Sequence, residues 1–137
     1  MEKKIIEYIK NDTKFLSQYG FTSEIMSKEL TDELSSSYIR FKNAYVRIDV
    51  SFSTFIDSKS LNLTVGLLNK NSSFNFEEYL LFKGQNKDLC IGDKNEEDGT
   101  YVKRFFTLFQ KFVNEDLLDV LEGRKWINVP KDYSLIS

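Results

Sequence analysis

The amino-acid sequence predicts a two-layer α+β domain: an antiparallel β-meander of three to five strands, with N-terminal and long C-terminal helices packed on one face. Three patterns carry that prediction: apolar/polar alternation between Tyr38 and Leu68, a Phe-rich three-and-four spacing over residues 100–122, and a shorter amphipathic run over residues 2–17. No internal repeat, low-complexity tract or Gly/Pro/Ser-rich linker divides the 137 residues, so a single domain spanning 1–137 is expected. A chain of this length removes about two-thirds of its unfolded surface from water, enough for one real core.

In the first run, Ile5, Ile6, Ile9, Phe15 and Leu16 fall near one side of a helix, Lys and Glu occupy the other, and Gly20 follows as a stop. Residues 21–36 are ambiguous. Phe21, Ile25 and Leu30 fit a short strand or a helical turn equally well, and Ser35-Ser36-Ser37 reads as a break. Ile39 and Phe41 then alternate with Tyr38, Arg40 and Lys42, and after Asn43-Ala44 the apolar Val46, Ile48, Val50 and Phe52 alternate with Arg47, Asp49, Ser51 and Ser53. A turn near Asp57-Ser58-Lys59 leads to Leu61, Leu63, Val65 and Leu67 at every second position. Connections this short imply antiparallel neighbours.

Residues 69–73 form a polar loop, and Asn75 with Glu78 has the spacing of a capping box, predicting a short helix through Leu81. Leu89, Cys90 and Ile91 suit an edge strand, and Gly92 to Gly99 reads as an acidic loop. The last helix carries Val102, Phe105, Phe106, Phe109, Phe112, Val113, Leu117, Val120 and Leu121 on one face and ends at Gly123, where a left-handed cap belongs. Tyr101, Leu108 and Leu118 lie off that stripe. The tail from Trp126 to Ile136 contains the single proline, Pro130, and is expected to pack in extended form with Trp126 as its anchor.

Twelve Phe, seven Tyr and one Trp make up 15% of the chain, so a Phe-rich core is expected. The net charge of -2, with both signs interspersed, gives no field to gather phosphate backbones, which argues against nucleic acid as a partner. The lone Cys90 sits among apolar neighbours and reads as a buried free thiol in a reducing compartment, with the cytoplasm the expected location. Charges at Glu7, Lys10, Asp12 and Lys14 interrupt any signal-like run, and no stretch approaches the length of a membrane span. Two glycosylation-type triplets, at Asn62 and Asn71, are chance matches in that setting.

The chain contains no histidine, which removes Ser-His and Cys-His nucleophile pairs and the commonest metal ligand. No glycine spacing matches a phosphate loop or a dinucleotide fingerprint. No catalytic residue, cofactor or metal site is therefore expected. Glu77 with Glu78, or Glu96, Glu97 and Asp98, are the carboxylates that acid/base chemistry would have to use, although adjacent carboxylates on a helix point in different directions. Counting an EF-hand from Asp93 puts Asp98 where Gly is needed and Arg104 where Glu is needed, so the calcium pattern fails.

What remains are surfaces. Tyr38, Arg40, Lys42, Arg47, Asp49, Asn62 and Thr64 should project together from the polar sheet face, and Asp93, Glu96, Glu97 and Asp98 offer a contact for a basic partner. The segment Tyr38-Ile39-Arg40-Phe41-Lys42-Asn43-Ala44-Tyr45-Val46-Arg47-Ile48-Asp49-Val50, with Leu61 to Leu68, resembles the central meander of small bacterial immunity proteins of polymorphic toxin systems, which share its size and its helix, meander, helix order. The resemblance covers about a quarter of the chain and implies a non-catalytic protein that neutralises a cognate toxin by occluding its surface. It transfers no catalytic residues. The alternative is a small-molecule-binding domain or carboxylate enzyme with a pocket between the sheet and the last helix.

Overall fold

Alternating residues that bury one face of each strand produce the sheet, and the computed structural model, which describes residues 1–29 and 35–131, shows how its rungs match. Strands β1 (Thr22–Glu29), β2 (Ser35–Lys42), β3 (Val46–Thr54), β4 (Ser58–Leu67) and β5 (Ser73–Asn75) lie in chain order, each antiparallel to the next. A sixth strand, β6 (Ile91–Asp93), pairs with the beginning of β4, while β5 pairs with its end. Register sets apolar residues side by side: Ile39 faces Val50, Phe41 faces Ile48, Ile48 faces Val65, and Val50 faces Leu63. A one-residue slip would turn this entire set to solvent, so burial itself specifies the register.

All the helices cover that apolar face. Helix α1 (Lys3–Asp12) buries Ile5 and Ile9 and passes into a 3-10 turn, Lys14–Tyr19, that ends on Gly20 in the left-handed region at φ 82°. The amphipathic stripe thus spans two kinds of helix, with the change at Thr13, whose hydroxyl donates back to the Ile9 carbonyl. Helix α2 (Phe76–Phe82) starts on the expected capping box, with Asn75 accepting from the Glu77 amide and Glu78 from the Asn75 amide. Helix α3 (Asp98–Phe112) starts two residues earlier than its periodicity suggests. It continues through a π-helical turn at Val113–Leu117 into α4 (Leu118–Leu121), and Gly123 follows at φ 76°.

Between α2 and α3, the Phe76 ring meets Phe105, Phe109 and Phe112 edge-on at 5.3 to 6.1 Å, and Tyr79 stands edge-on to Phe112 at 5.6 Å. Edge-to-face pairs of this kind add to the burial of the rings themselves. Tyr101, off the main stripe, is fully buried because its hydroxyl is satisfied on both sides. It donates to the Cys90 carbonyl and accepts the Leu61 amide at 2.7 Å. Trp126 anchors the tail against Phe74, ring centres 5.4 Å apart, with Ile127 and Val129 packed beside the core. The expected course of the tail beyond Lys131 lies outside the described residues.

Several local readings need correction. Ser35-Ser36-Ser37 is the start of β2, since pairing with Ser27–Glu29 of β1 satisfies its backbone whatever the side chains. The ambiguous residues from Thr22 to Glu29 are a strand, and Leu30 lies outside the described residues. Ser58 and Lys59 already belong to β4, so the hairpin tip is Phe55-Ile56-Asp57. Leu89 and Cys90 fall in a 3-10 turn, Lys87–Cys90, and the edge strand runs from Ile91 to Asp93. Ser73 belongs to β5 instead of closing the polar loop.

Candidate functional site

The face of the sheet opposite the helices carries the polar residues, and its strand register brings most of the expected candidates into rows. One row runs Glu24, Arg40, Asp49, Thr64, Asn75 across five strands, and the next runs Thr22, Lys42, Arg47, Gly66, Ser73. Arg40 grips Asp49 through two bonds, Nε to Oδ1 at 2.8 Å and Nη2 to Oδ2 at 3.1 Å, a fork geometry that suits a planar carboxylate. The hydrogen bond to Asp49 raises the Arg40 pKa further and keeps the guanidinium charged. The same guanidinium stands 5.6 Å from the centre of the Tyr38 ring. Arg47 donates to the Leu67 carbonyl at 2.7 Å and lies so close over Gly66 that a Cβ there would fall 2.7 Å from its guanidinium. Lys42 and Glu24 make a looser, exposed pair at 3.9 Å.

The two rows are therefore preassembled together, with three cations (Arg40, Lys42, Arg47) against two carboxylates (Glu24, Asp49). Toward the other end of the same face the side chains become small and uncharged. Ser51 stands opposite Asn62, and Ser53 opposite Ser60.

The acidic loop is tied down more than its composition suggests. Glu96 accepts from Arg104 at 3.0 and 2.9 Å, and this hydrogen bonding holds its carboxyl below the ordinary range. Asp98 accepts from Lys59 at 2.7 Å, and the Lys59 ammonium also donates to the Glu96 carbonyl. Lys59 is the residue the sequence reading missed. Its side chain is only 8% exposed, and its stem crosses Gly92 where a Cβ would clash. The signal was available, because Lys59 occupies an inward position in the series Lys59, Leu61, Leu63, Val65. Asp93 turns its carboxylate onto the Asn95 amide at 2.9 Å, and Glu97 is exposed. Asp93 lies beside Ser58 while Asp49 lies beside Thr64. Six residues along β4 separate these points by about 20 Å, so the two predicted clusters are distinct patches at opposite ends of the sheet.

The carboxylates weighed for acid/base work behave differently from one another. Burial raises the Glu77 pKa, with Lys87 opposing and Asp88 and Glu78 adding to it. The Cys90 thiol is fully buried, and burial together with the Glu77 charge pushes it up to about 12, far from a thiolate at neutral pH. A network absent from the sequence reading joins α2 to the π turn: the Tyr79 hydroxyl donates to Asp116 at 3.0 Å, and Lys83 pairs with the same carboxylate at 2.9 Å. Those two partners hold Asp116 below its ordinary pKa. Among the described residues, no group of three or more carboxylates or thiols is arranged to hold a metal ion, and no helix is long and apolar enough to cross a membrane.

Fold and surface together define an α+β two-layer domain with one charged sheet face that no helix covers among the described residues. No protein-family model matches the chain, and no curated protein or solved structure is significantly similar to it.

Proposed function

We propose that this chain is a non-catalytic protein-binding module, an immunity-like protein of the bacterial cytoplasm that neutralises a cognate toxin by covering its surface. One observation carries the reading: among the described residues no helix lies over the outer sheet face, and Arg40 and Asp49 are locked together on it. Fixed charges on a rigid sheet present a partner with a pattern already ordered, which lowers the entropic cost of association. The alternative pocket between sheet and α3 is weakened by the buried side chains of one continuous core, Ile48, Val50, Leu63 and Val65 from the sheet and Val102, Phe105 and Phe109 from α3, each at most 1% exposed.

The test is recovery of a protein partner by the tagged chain from its native host, together with inspection of the neighbouring genes. The expected partner is a toxin encoded nearby, bound at least tenfold more weakly by Asp49→Arg and unaffected by Lys103→Glu on the exposed side of α3. A neighbourhood without any toxin gene, joined to repeated failure to recover a protein, overturns the proposal.

A further inference from the structure

We infer that the partner contact is anchored at the tip of the β3–β4 hairpin, where Phe55 and Ile56 enter an apolar pocket rimmed by basic side chains on the partner protein. Ile56 is 96% exposed and Phe55 61%, the largest exposures among the large apolar residues described. Hairpin tips ordinarily carry Gly, Asn or Asp, whose backbones tolerate the turn, so two consecutive bulky apolar residues serve no turn geometry. They serve no core either, being open to water.

The tip is rigid. The Phe55 amide donates to the Ser58 carbonyl at 2.8 Å, Thr54 pairs with Lys59, and the Lys94 amide reaches the Asp57 carbonyl at 3.4 Å. Alternation along β3 turns Phe55 toward the outer face, and the pairing of Ile91 with Ser60 places another half-exposed apolar residue on that face nearby. An aromatic and an aliphatic side chain exposed at the border of a serine-rich strip are the kind of anchor that dominates protein interfaces.

Charge chooses the partner. Asp57 follows the tip, Asp93 stands beside Ser58, and Lys94 offsets only one of them. An anionic bilayer would be repelled by this rim, whereas basic side chains around an apolar pocket would complement it. The inference rests on the protein-binding reading, and its test separates the two.

A photo-crosslinking amino acid is placed at position 56, at position 51 on the serine strip, and at position 103 on α3, in cells of the native host. The expected result is one protein joined from 56 and 51 and not from 103. With that protein purified, Ile56→Asp should raise Kd about 30-fold without lowering the melting midpoint, the loss typical of an interface anchor. Asp57→Lys with Asp93→Lys should weaken binding and flatten its salt dependence. Crosslinking from 51 alone, or an unchanged Kd for Ile56→Asp, overturns the anchor and leaves the binding module standing. No crosslink from either site overturns both. Sedimentation of the wild type, but not Ile56→Asp, with phosphatidylcholine vesicles overturns the inference in favour of a lipid contact, and a lowered melting midpoint for Ile56→Asp assigns the tip a structural role instead.

Discussion

The Asn43 side-chain amide donates to the Leu121 carbonyl at 2.8 Å, bridging 78 residues from the β2–β3 hairpin to the end of the long helix. The same nitrogen donates to the Tyr19 carbonyl at 3.0 Å, and the side-chain oxygen accepts the Tyr45 and Val46 amides, both at 2.9 Å. One residue thus closes its own turn and supplies partners to two helix-terminal carbonyls that lack intrahelical ones. Asn43→Ala should cost about 2–3 kcal/mol, at a net contribution of about 0.5–1.5 kcal/mol per bond with a discount for the exposed one. Asn43→Asp should also destabilise, since a carboxylate would face two carbonyls with no proton to offer. Urea denaturation midpoints check both.

Gly123 and Tyr45 pack equally tightly. At φ 76° glycine is unstrained, and a Cβ there would lie 2.4 Å from the Tyr45 ring. Gly123→Ala should lose about 1–2 kcal/mol from the left-handed backbone alone, and more from the clash. Adding Tyr45→Ala should recover only the clash, leaving the backbone penalty, so a double-mutant cycle separates the two.

Lys59 and Asp98 are unequal partners, the lysine side chain 8% exposed and the carboxylate 41%. Removing the exposed partner strands a buried charge, whereas removing the lysine strands a solvated one. Asp98→Ala should therefore destabilise by about 1–3 kcal/mol and Lys59→Met, which keeps the stem against Gly92 and Tyr101, by less. Equal losses in thermal or chemical denaturation would refute this asymmetry.

Much of the fold was legible because its signals are local. Alternation announced β2, β3 and β4, the Asn75 and Glu78 spacing announced α2, and Gly123 announced the end of the long helix. What stayed hidden depends on distant neighbours. Ser35-Ser36-Ser37 is a strand only because β1 pairs with it, and Thr22–Glu29 carries no alternation strong enough to declare itself. Asn43 looked like a turn residue, and its bonds to Tyr19 and Leu121 could not be read from a window around it. At the candidate site, face assignment followed from period two, so the sharing of one face by Arg40, Asp49 and Arg47 was foreseeable. The neutralisation of Glu96 and Asp98 was not, because Arg104 and Lys59 approach from other elements.

Cys90 provides a probe of global opening. Its thiol is buried and pushed up to about 12, so the folded protein should resist a thiol reagent at pH 8. Labelling in increasing urea should follow the far-UV signal of unfolding. Fast labelling in native buffer would show that the segment joining Lys87–Cys90 to β6 opens independently of the core.

Glu77 should tune stability in the opposite direction from Glu96 and Asp116. Burial raises its pKa in the fold, so the folded state holds its proton more tightly than the unfolded chain does. Above the folded pKa the charged form is penalised, and that penalty fades as pH falls through the folded pKa toward the unfolded value of about 4.3. Glu77→Gln should therefore be more stable than wild type at pH 7, with the difference vanishing near pH 4. Glu96 and Asp116 have lowered pKa values, so their contribution is complete above the unfolded values and is lost as pH falls through the folded ones. Glu96→Gln and Asp116→Asn should accordingly be less stable than wild type at pH 7 and converge on it in acid. Denaturation curves at pH 7, 5.5 and 4 distinguish the cases: a Glu77→Gln protein that is destabilised at pH 7 would mean that its attraction to Lys87 outweighs the cost of burial.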